Sequence, residues 1–428
     1  MEDSQEGKTN NLLTKVQGAI NYSLVDPIKQ EPRVLLLSLS TFFMTMGHGI
    51  IVPIIPLLIN SFGLSAAMIG IAVSSFAVAR AFSNIPSGIL AGRHGAKTVL
   101  VLGATISGLG NLMIGVIPEY TSLVAFRFVA GLGSALFITA AVIFVADVST
   151  SANRGRLMTI YQTAFLLGVT MGPAIGGITA GTFGLNAPFF LVGITSAISA
   201  LWAMTRIPGN VAKRSPGSHE LAGNHVNQSS SMVASLDLIK DARFVAVSLV
   251  TTAVFLTRGS CLFNLYPLLG RTRFALTTRN LGLMFTIPSA SNLVSLSWAG
   301  ALADRLGRKA LIVPSTFLFA VSLMVVALSP NIQGFAVGLV IYGVAQAIEG
   351  PAGNSYVADI VPKHRRPLAL GIYRTFGDVG VVLGPGPLGL IADWAGIPWA
   401  LFVNTLIMLA AGTLFLIVTS IKPKHVRA

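Results

Sequence analysis

Two acids and four arginines stand inside long apolar stretches of this chain, where an ionisable side chain is expensive and is kept for a purpose. At a rise of about 1.5 Å per residue, Glu349 lies roughly 15 Å from Asp359 and Asp378 roughly 18 Å from Arg366, so both fall near the middle of a bilayer. Whether either carries a proton depends on the contest between desolvation and neighbouring cations. Arg374 precedes Asp378 by four residues, one turn away on the same face, and the two read either as a proton site or as a static ion pair. Glu349 has no such partner close in sequence and is the better proton carrier, its structural alternative being a pair with Arg258 or Arg374 across a cavity.

By the same arithmetic Arg80, Arg258 and His48 lie near mid-depth. A histidine's ordinary titration range includes neutrality, although a lone one more often serves as a hydrogen-bonding cavity residue. Four membrane arginines, Arg80, Arg127, Arg258 and Arg374, face only Glu349 and Asp378, a surplus that would suit an anion. Asn84, Gln162, Asn264, Asn292 and Gln346 would add neutral hydrogen bonds. Phe43, Phe76, Phe165 and Phe376 are either cavity wall or lipid-facing surface. No paired aspartates, Ser/His constellation or metal motif occurs in the runs, so neither catalysis, a metal nor a cofactor is expected. The single cysteine, Cys261, offers neither a disulfide nor a thiolate cage.

The elements that must position these groups are membrane helices. Hydrophobic residues make up 53% of the 428 and charged ones 10%, a composition foreign to a water-soluble chain of this length. Mean hydropathy is +0.75. A bilayer core needs about 20 apolar residues per helix, and twelve continuous runs satisfy it, approximately 34–60, 66–91, 98–117, 121–147, 156–182, 186–207, 243–270, 278–303, 309–329, 332–360, 366–393 and 397–420. Continuity rather than alternation selects helices over a barrel. The segment 208–242, with its Pro-Gly and serine clusters, reads as a linker between a first half, 33–207, and a second, 243–421, flanked by tails 1–32 and 422–428. The first tail could form an amphipathic helix through Leu12, Leu13, Val16 and Ile20, and its acids argue against a cleaved signal.

The halves repeat. Gly88-Ile-Leu-Ala recurs as Gly300-Ala-Leu-Ala (300 − 88 = 212), and the same offset carries Ala146-Asp147 to Ala358-Asp359, Ile160-Tyr161 to Ile372-Tyr373 and Gly172-Pro173 to Gly384-Pro385. Most of the 29 Lys and Arg residues lie in the tails, the linker and the loops after runs 2, 4, 8 and 10. Arg271, Arg273 and Arg279 lie on the other side, so both termini are expected in the cytoplasm. The formal charge of +14 thus reflects orientation rather than nucleic-acid binding. The sequons at Asn21 and Asn227 would then be cytoplasmic and unused.

The loop after run 8, Gly300-Ala-Leu-Ala-Asp304-Arg305-Leu-Gly307-Arg308-Lys309, resembles the loop signature of the major facilitator superfamily at every defining position. Its small residues allow helix ends to approach, and Asp304 with the cations could form a charge lattice that breaks when the halves rock. The first-half copy keeps Gly88, Arg93, Gly95 and Lys97 but has Gly92 where the family places an acid. Arg127 to Ala135 resembles the family's arginine and small-residue motif, which implies a part for Arg127 in proton movement. Gly168-Val-Thr-Met-Gly172-Pro173-Ala-Ile-Gly176-Gly177 resembles the motif of its twelve-helix drug:proton antiporter branch, and Val52-Pro53-Ile-Ile-Pro56 is similar to that branch too. In the fifth run three glycines share one face and Pro173 would supply a kink. Gly384-Pro-Gly386-Pro-Leu-Gly389 fits a dinucleotide pattern only formally, since no strand precedes it, and Ala96 stands where a phosphate loop before Lys97-Thr98 needs glycine.

The resemblance implies an all-α membrane protein of twelve transmembrane helices in two pseudo-symmetric six-helix halves. The expected activity is proton-coupled efflux of a small organic or amphipathic compound by alternating access, from a bacterial inner membrane and as a monomer. An organic-anion or metal-chelate carrier with an arginine-lined cavity is the second reading, and a solute sensor without transport is a third of another class.

Overall fold

Pro53 has no backbone N–H to give to the helical ladder, and the first membrane span is interrupted there although Val52 and Pro53 both keep helical dihedral angles. The computed structural model describes residues 31–150, 153–208, 238–362 and 365–420, without the side chains of 297, 301, 303–305, 367 and 368 or the surroundings of Gly300. The tail helix expected through Leu12 and Ile20, the two sequons and most of the linker lie outside these residues.

The first six spans are α1 (Pro32–Ile51) with α2 (Ile54–Ser61), α3 (Ala66–His94), α4 (Ala96–Val116), α5 (Tyr120–Val148), α6 (Arg154–Phe183) and α7 (Ala187–Arg206). The second six begin with a composite span: α8 (Ala242–Thr257), a π-helical segment Arg258–Leu265, and α9 (Tyr266–Thr272). Then follow α10 (Thr278–Leu306), α11 (Arg308–Leu328), α12 (Ile332–Ile360), α13 (Arg366–Leu383) with α14 (Pro385–Ala395), and α15 (Ile397–Ser420). Eleven spans among the described residues are long and apolar enough to cross a membrane. α10 is 29 residues long, and Ser289, Ser291, Asn292 and Ser295 dilute its apolar character; packed against α6 and α12, it completes twelve.

The repeat seen in the sequence holds to the residue in the second, third and fourth spans of each half. The boundaries of α3, α4 and α5 recur in α10, α11 and α12 after the same 212 residues. Gly95 and Gly307 both turn the chain at φ 84°, and Gly184 and Gly396 at 91° and 96°, conformations that suit glycine. Pro173 and Pro385 occupy equivalent places with different results, because α6 runs on through Pro173 whereas the later helix is interrupted at Gly384.

The two halves meet closely at the end of the bundle away from Pro32 and Ser420, called here the far end. A Cβ on Gly177 would fall 2.6 Å from the Cα of Gly282, and one on Gly389 would fall 2.6 Å from the Ala66 carbonyl. Gly70 lies under the Pro385 carbonyl as Gly282 lies under that of Pro173, so the α3–α14 and α6–α10 contacts are copies of one another. Asp393 adds a directional tie. Its carboxylate accepts the Ala66 and Ala67 amides at 2.7 and 2.9 Å, filling the open N-terminus of α3 from the other half. At the near end Gly88, Gly92 and Gly371 have nothing within 4 Å of where a Cβ would stand.

Candidate functional site

Asp378 is brought to Arg80 and Asn84 by the approach of α13 to α3. Asn84 Nδ2 donates to Asp378 Oδ2 at 2.9 Å, and Arg80 Nη2 stands 3.9 Å from Oδ1. The ion pair expected between Asp378 and Arg374 within one helix is therefore replaced by a contact between the halves. Side chains four apart on a helix are neighbours only when nothing better is offered, and here an amide and a guanidinium come across the interface. Asp378 is 5% exposed and Arg374 exposed. Arg258 and Arg374 both act electrostatically on Arg80, and Arg80 and Arg374 act on Tyr161 of α6. Asp378 thus faces Arg80, and Arg258 and Arg374 are near enough to Arg80 to repel it.

Glu349 is separate from this cluster. It is 4% exposed on α12, with Thr251 Oγ1 at 3.4 Å from its Oε1. Thr251 also bonds the hydroxyl of Tyr373. Among the described residues Glu349 has no ion partner within 4 Å, so neither Arg258 nor Arg374 neutralises it as the structural alternative required. Gly353 makes room for this arrangement, since a Cβ there would strike the Tyr373 hydroxyl.

In the first half, Arg127 is buried with its guanidinium 4.3 Å from the centroid of Phe76, a cation–π contact between α5 and α3. His48 meets the same ring edge to face at 5.7 Å. Its Nδ1 donates to the Met44 carbonyl at 2.9 Å, while Nε2 is buried without a hydrogen-bond partner among the described residues, as is Arg127 Nε. Phe76 is the aromatic that holds this group together.

Three further candidates take different roles. Asn264, expected to line a cavity, is fully buried. It donates to the carbonyls of Ala66 at 2.9 Å and Pro385 at 3.3 Å, tying the π segment to the far-end contacts; helix irregularity there turns it away from the centre. Asn292 is buried on α10, whereas Gln162 is exposed on α6 and Gln346 half-buried on α12. Arg258 is half-buried at the start of the π segment, which precedes Pro267 and is braced by Asn404, bonded to Thr257 and to the Cys261 sulfur.

The fifth-run glycines divide their labour. Gly168, Gly172 and Gly176 face α1, against Thr45, Gly49 and the Ile50 carbonyl, while Gly177 faces α10. In the loops after the second and eighth spans, Gly95 and Gly307 make the turns, and Arg93 and Lys97 flank the first. Arg308 pairs with Asp359 and donates to the Ser355 carbonyl at 3.3 Å, and Lys309 donates to the Thr419 carbonyl. These bonds lie within the second half and do not link the halves. The side chains of Asp304 and Arg305 and the surroundings of Gly300 lie outside those described. Sequence reasoning did not single out Thr251, Asp393 or the role of Tyr373. Tyr373 did carry a signal, as the repeat partner of Tyr161.

The family model of the Major Facilitator Superfamily matches residues 37–280 and 248–428. The chain is 25% identical over 370 residues to an uncharacterised MFS-type transporter of Methanocaldococcus jannaschii, covering 86% of this chain and 93% of that one. It is 26% identical over 379 residues to multidrug resistance protein 2 of Bacillus subtilis, covering 86% and 90%. Among solved structures, a bacterial homologue of the human lysosomal transporter Spinster, inward-facing and occupied, superposes with a TM-score of 0.77. The identity is 16%, over 90% of this chain and 96% of the other.

Proposed function

Because the chain belongs to the Major Facilitator Superfamily, whose fold is that of transporters, we propose that it exports small organic compounds in exchange for protons, by alternating access across the plasma membrane. The observation that carries this reading is the asymmetry of the interface. Glycine contacts seal the far end, the near-end glycines stand clear, and a polar bridge from Asn84 and Arg80 to Asp378 joins the halves between them. The near end holds most of the Lys and Arg and is assigned to the cytoplasm, which makes this an inward-open state. Likeness to a multidrug resistance protein supports an organic substrate and the outward direction. Both halves needed for rocking are in one chain, so a monomer suffices.

Glu349 is the proton carrier in this scheme. A buried acid partnered by a hydroxyl can gain or lose a proton without first breaking an ion pair, while Asp378 is engaged by a cation. Arg127 over the face of Phe76 and His48 edge to face with it are placed to shape the field of the first half. The test is reconstitution in liposomes under a pH gradient, following lumenal pH as lipophilic cations and organic anions are added. Substrate-dependent proton movement, lost in Glu349→Gln, is the expected result. Solute flux without proton movement, unaltered by the substitution, would sink the coupling and leave a facilitator.

A further inference from the structure

Glu349 apart, the charged side chains at mid-depth lie on one side of the contact between the halves. Arg80 and Asn84 come from α3, Arg374 and Asp378 from α13, and Arg258 from the π segment. Gly259, next to Arg258, packs against Val381 and Pro385, so the π segment runs alongside the stretch of chain just beyond Asp378. Asp378 spends its carboxylate on Asn84 and Arg80. Neither Arg258 nor Arg374 has an ion partner within 4 Å among the described residues, and Arg80 Nε is buried without a bond. The opposite side is different. The repeat places Gln162 where the second half has Arg374, Leu166 where it has Asp378, Asn292 for Arg80 and Leu296 for Asn84. The α3–α13 wall is therefore cationic and the α6–α10 wall neutral, half of it apolar.

Like charges gathered at mid-depth repel one another, and an anion bound between them relieves that repulsion. A guanidinium offers a planar fork that fits a carboxylate in two bonds, which an ammonium cannot do. We infer that the solute carried in the scheme above is an amphipathic organic anion. Its carboxylate docks on Arg80, Arg258 and Arg374, and its apolar body lies against α6 and α10. Asp378 holds Arg80 in the empty carrier and gives it up to the incoming carboxylate. The inference rests on the transport reading for its meaning, but the binding site can be tested apart from it.

The experiment uses the full chain in lipid nanodiscs and a panel of radiolabelled aromatic and aliphatic carboxylates. Each is paired with its uncharged amide, and tetraphenylphosphonium serves as the cationic probe. At least one carboxylate is expected to bind saturably and ten-fold or more tighter than its amide. Arg374→Gln and Arg258→Gln each weaken it by ten-fold or more with melting temperature and gel-filtration profile unchanged, and Asp378→Asn strengthens it several-fold by removing the competitor. Should an arginine variant misfold, Arg374→Lys in a folded protein tests the same contact, with a smaller loss of affinity expected. A panel in which no carboxylate outbinds its amide, or in which the cation binds best, overturns the inference, as does carboxylate binding indifferent to both arginines. Flux assays on the same compounds separate the two ideas. Carboxylate binding without flux of any compound would remove the transport reading and leave the anion site, whereas proton-coupled flux of the cation alone would do the reverse.

Discussion

Thr251 has one hydroxyl hydrogen and two neighbours, Glu349 and Tyr373. Whichever it serves, removing it leaves a buried acid with no hydrogen-bond partner among the described residues, a loss of about 1–3 kcal/mol. Thr251→Val keeps the volume and strips the hydroxyl. Proton-coupled flux, read as charge movement on a solid-supported membrane, is expected to fall about ten-fold or more, since about 1.4 kcal/mol is a factor of ten, while substrate affinity stays within about two-fold. An equal fall in affinity would mean that Thr251 merely packs. The sequence made Glu349 and Asp378 visible through their setting, because acids in apolar runs are rare enough to be conspicuous. Their partners were illegible. Asn84 reaches Asp378 from 294 residues away, and no periodicity within one helix reports a contact made by the closing of another. Local spacing pointed instead to Arg374, the nearest cation along the chain.

The helices themselves were legible to within a few residues, because about 20 apolar positions in a row leave the backbone little choice in lipid. Their interruptions were legible only in part. Val52-Pro53 stood out as a motif and is the break between α1 and α2, but the π segment has no such mark, its nearest cue being Pro267. The glycines show the same division. Their shared face was readable, but not that Gly177 belongs to the seal with α10 while its three neighbours belong to α1. That division predicts different phenotypes. Gly177→Val and its repeat partner Gly389→Val drive a side chain into backbone of the other half and should hold the far end apart. Cysteines introduced at that end would then react several-fold faster with an impermeant maleimide, while the fold survives. Gly176→Val, aimed at the Ile50 carbonyl, should lower melting temperature instead. Faster labelling in Gly176→Val alone would refute the assignment.

At the scale of the whole molecule, the far-end seal belongs to the inward-open state of the scheme proposed above. Cysteines replacing Gly88 and Gly371 place spin labels where a side chain has free space on α3 and α13. The native Cys261 is buried and should stay silent. The distance between the labels is expected to shorten by several ångströms when the far end is forced apart by Gly177→Val with Gly389→Val, as a rocking motion requires. A distance unchanged by the double substitution would mean the two ends move independently.

The duplicated contact has a further consequence for origin. Gly70 on Pro385 and Gly282 on Pro173 are one contact made twice about a twofold axis. Two separate copies of a six-helix half would make that contact isologously, each chain offering the same surface to the other. The seal therefore needs no fused chain and would have served a homodimer of single halves. Fusion is what allows the two copies to differ: Asp393 against Gly181, Arg374 against Gln162, Asp378 against Leu166. Glycine contacts that no side chain can enter keep the symmetry of the repeat, and the mid-depth positions depart from it.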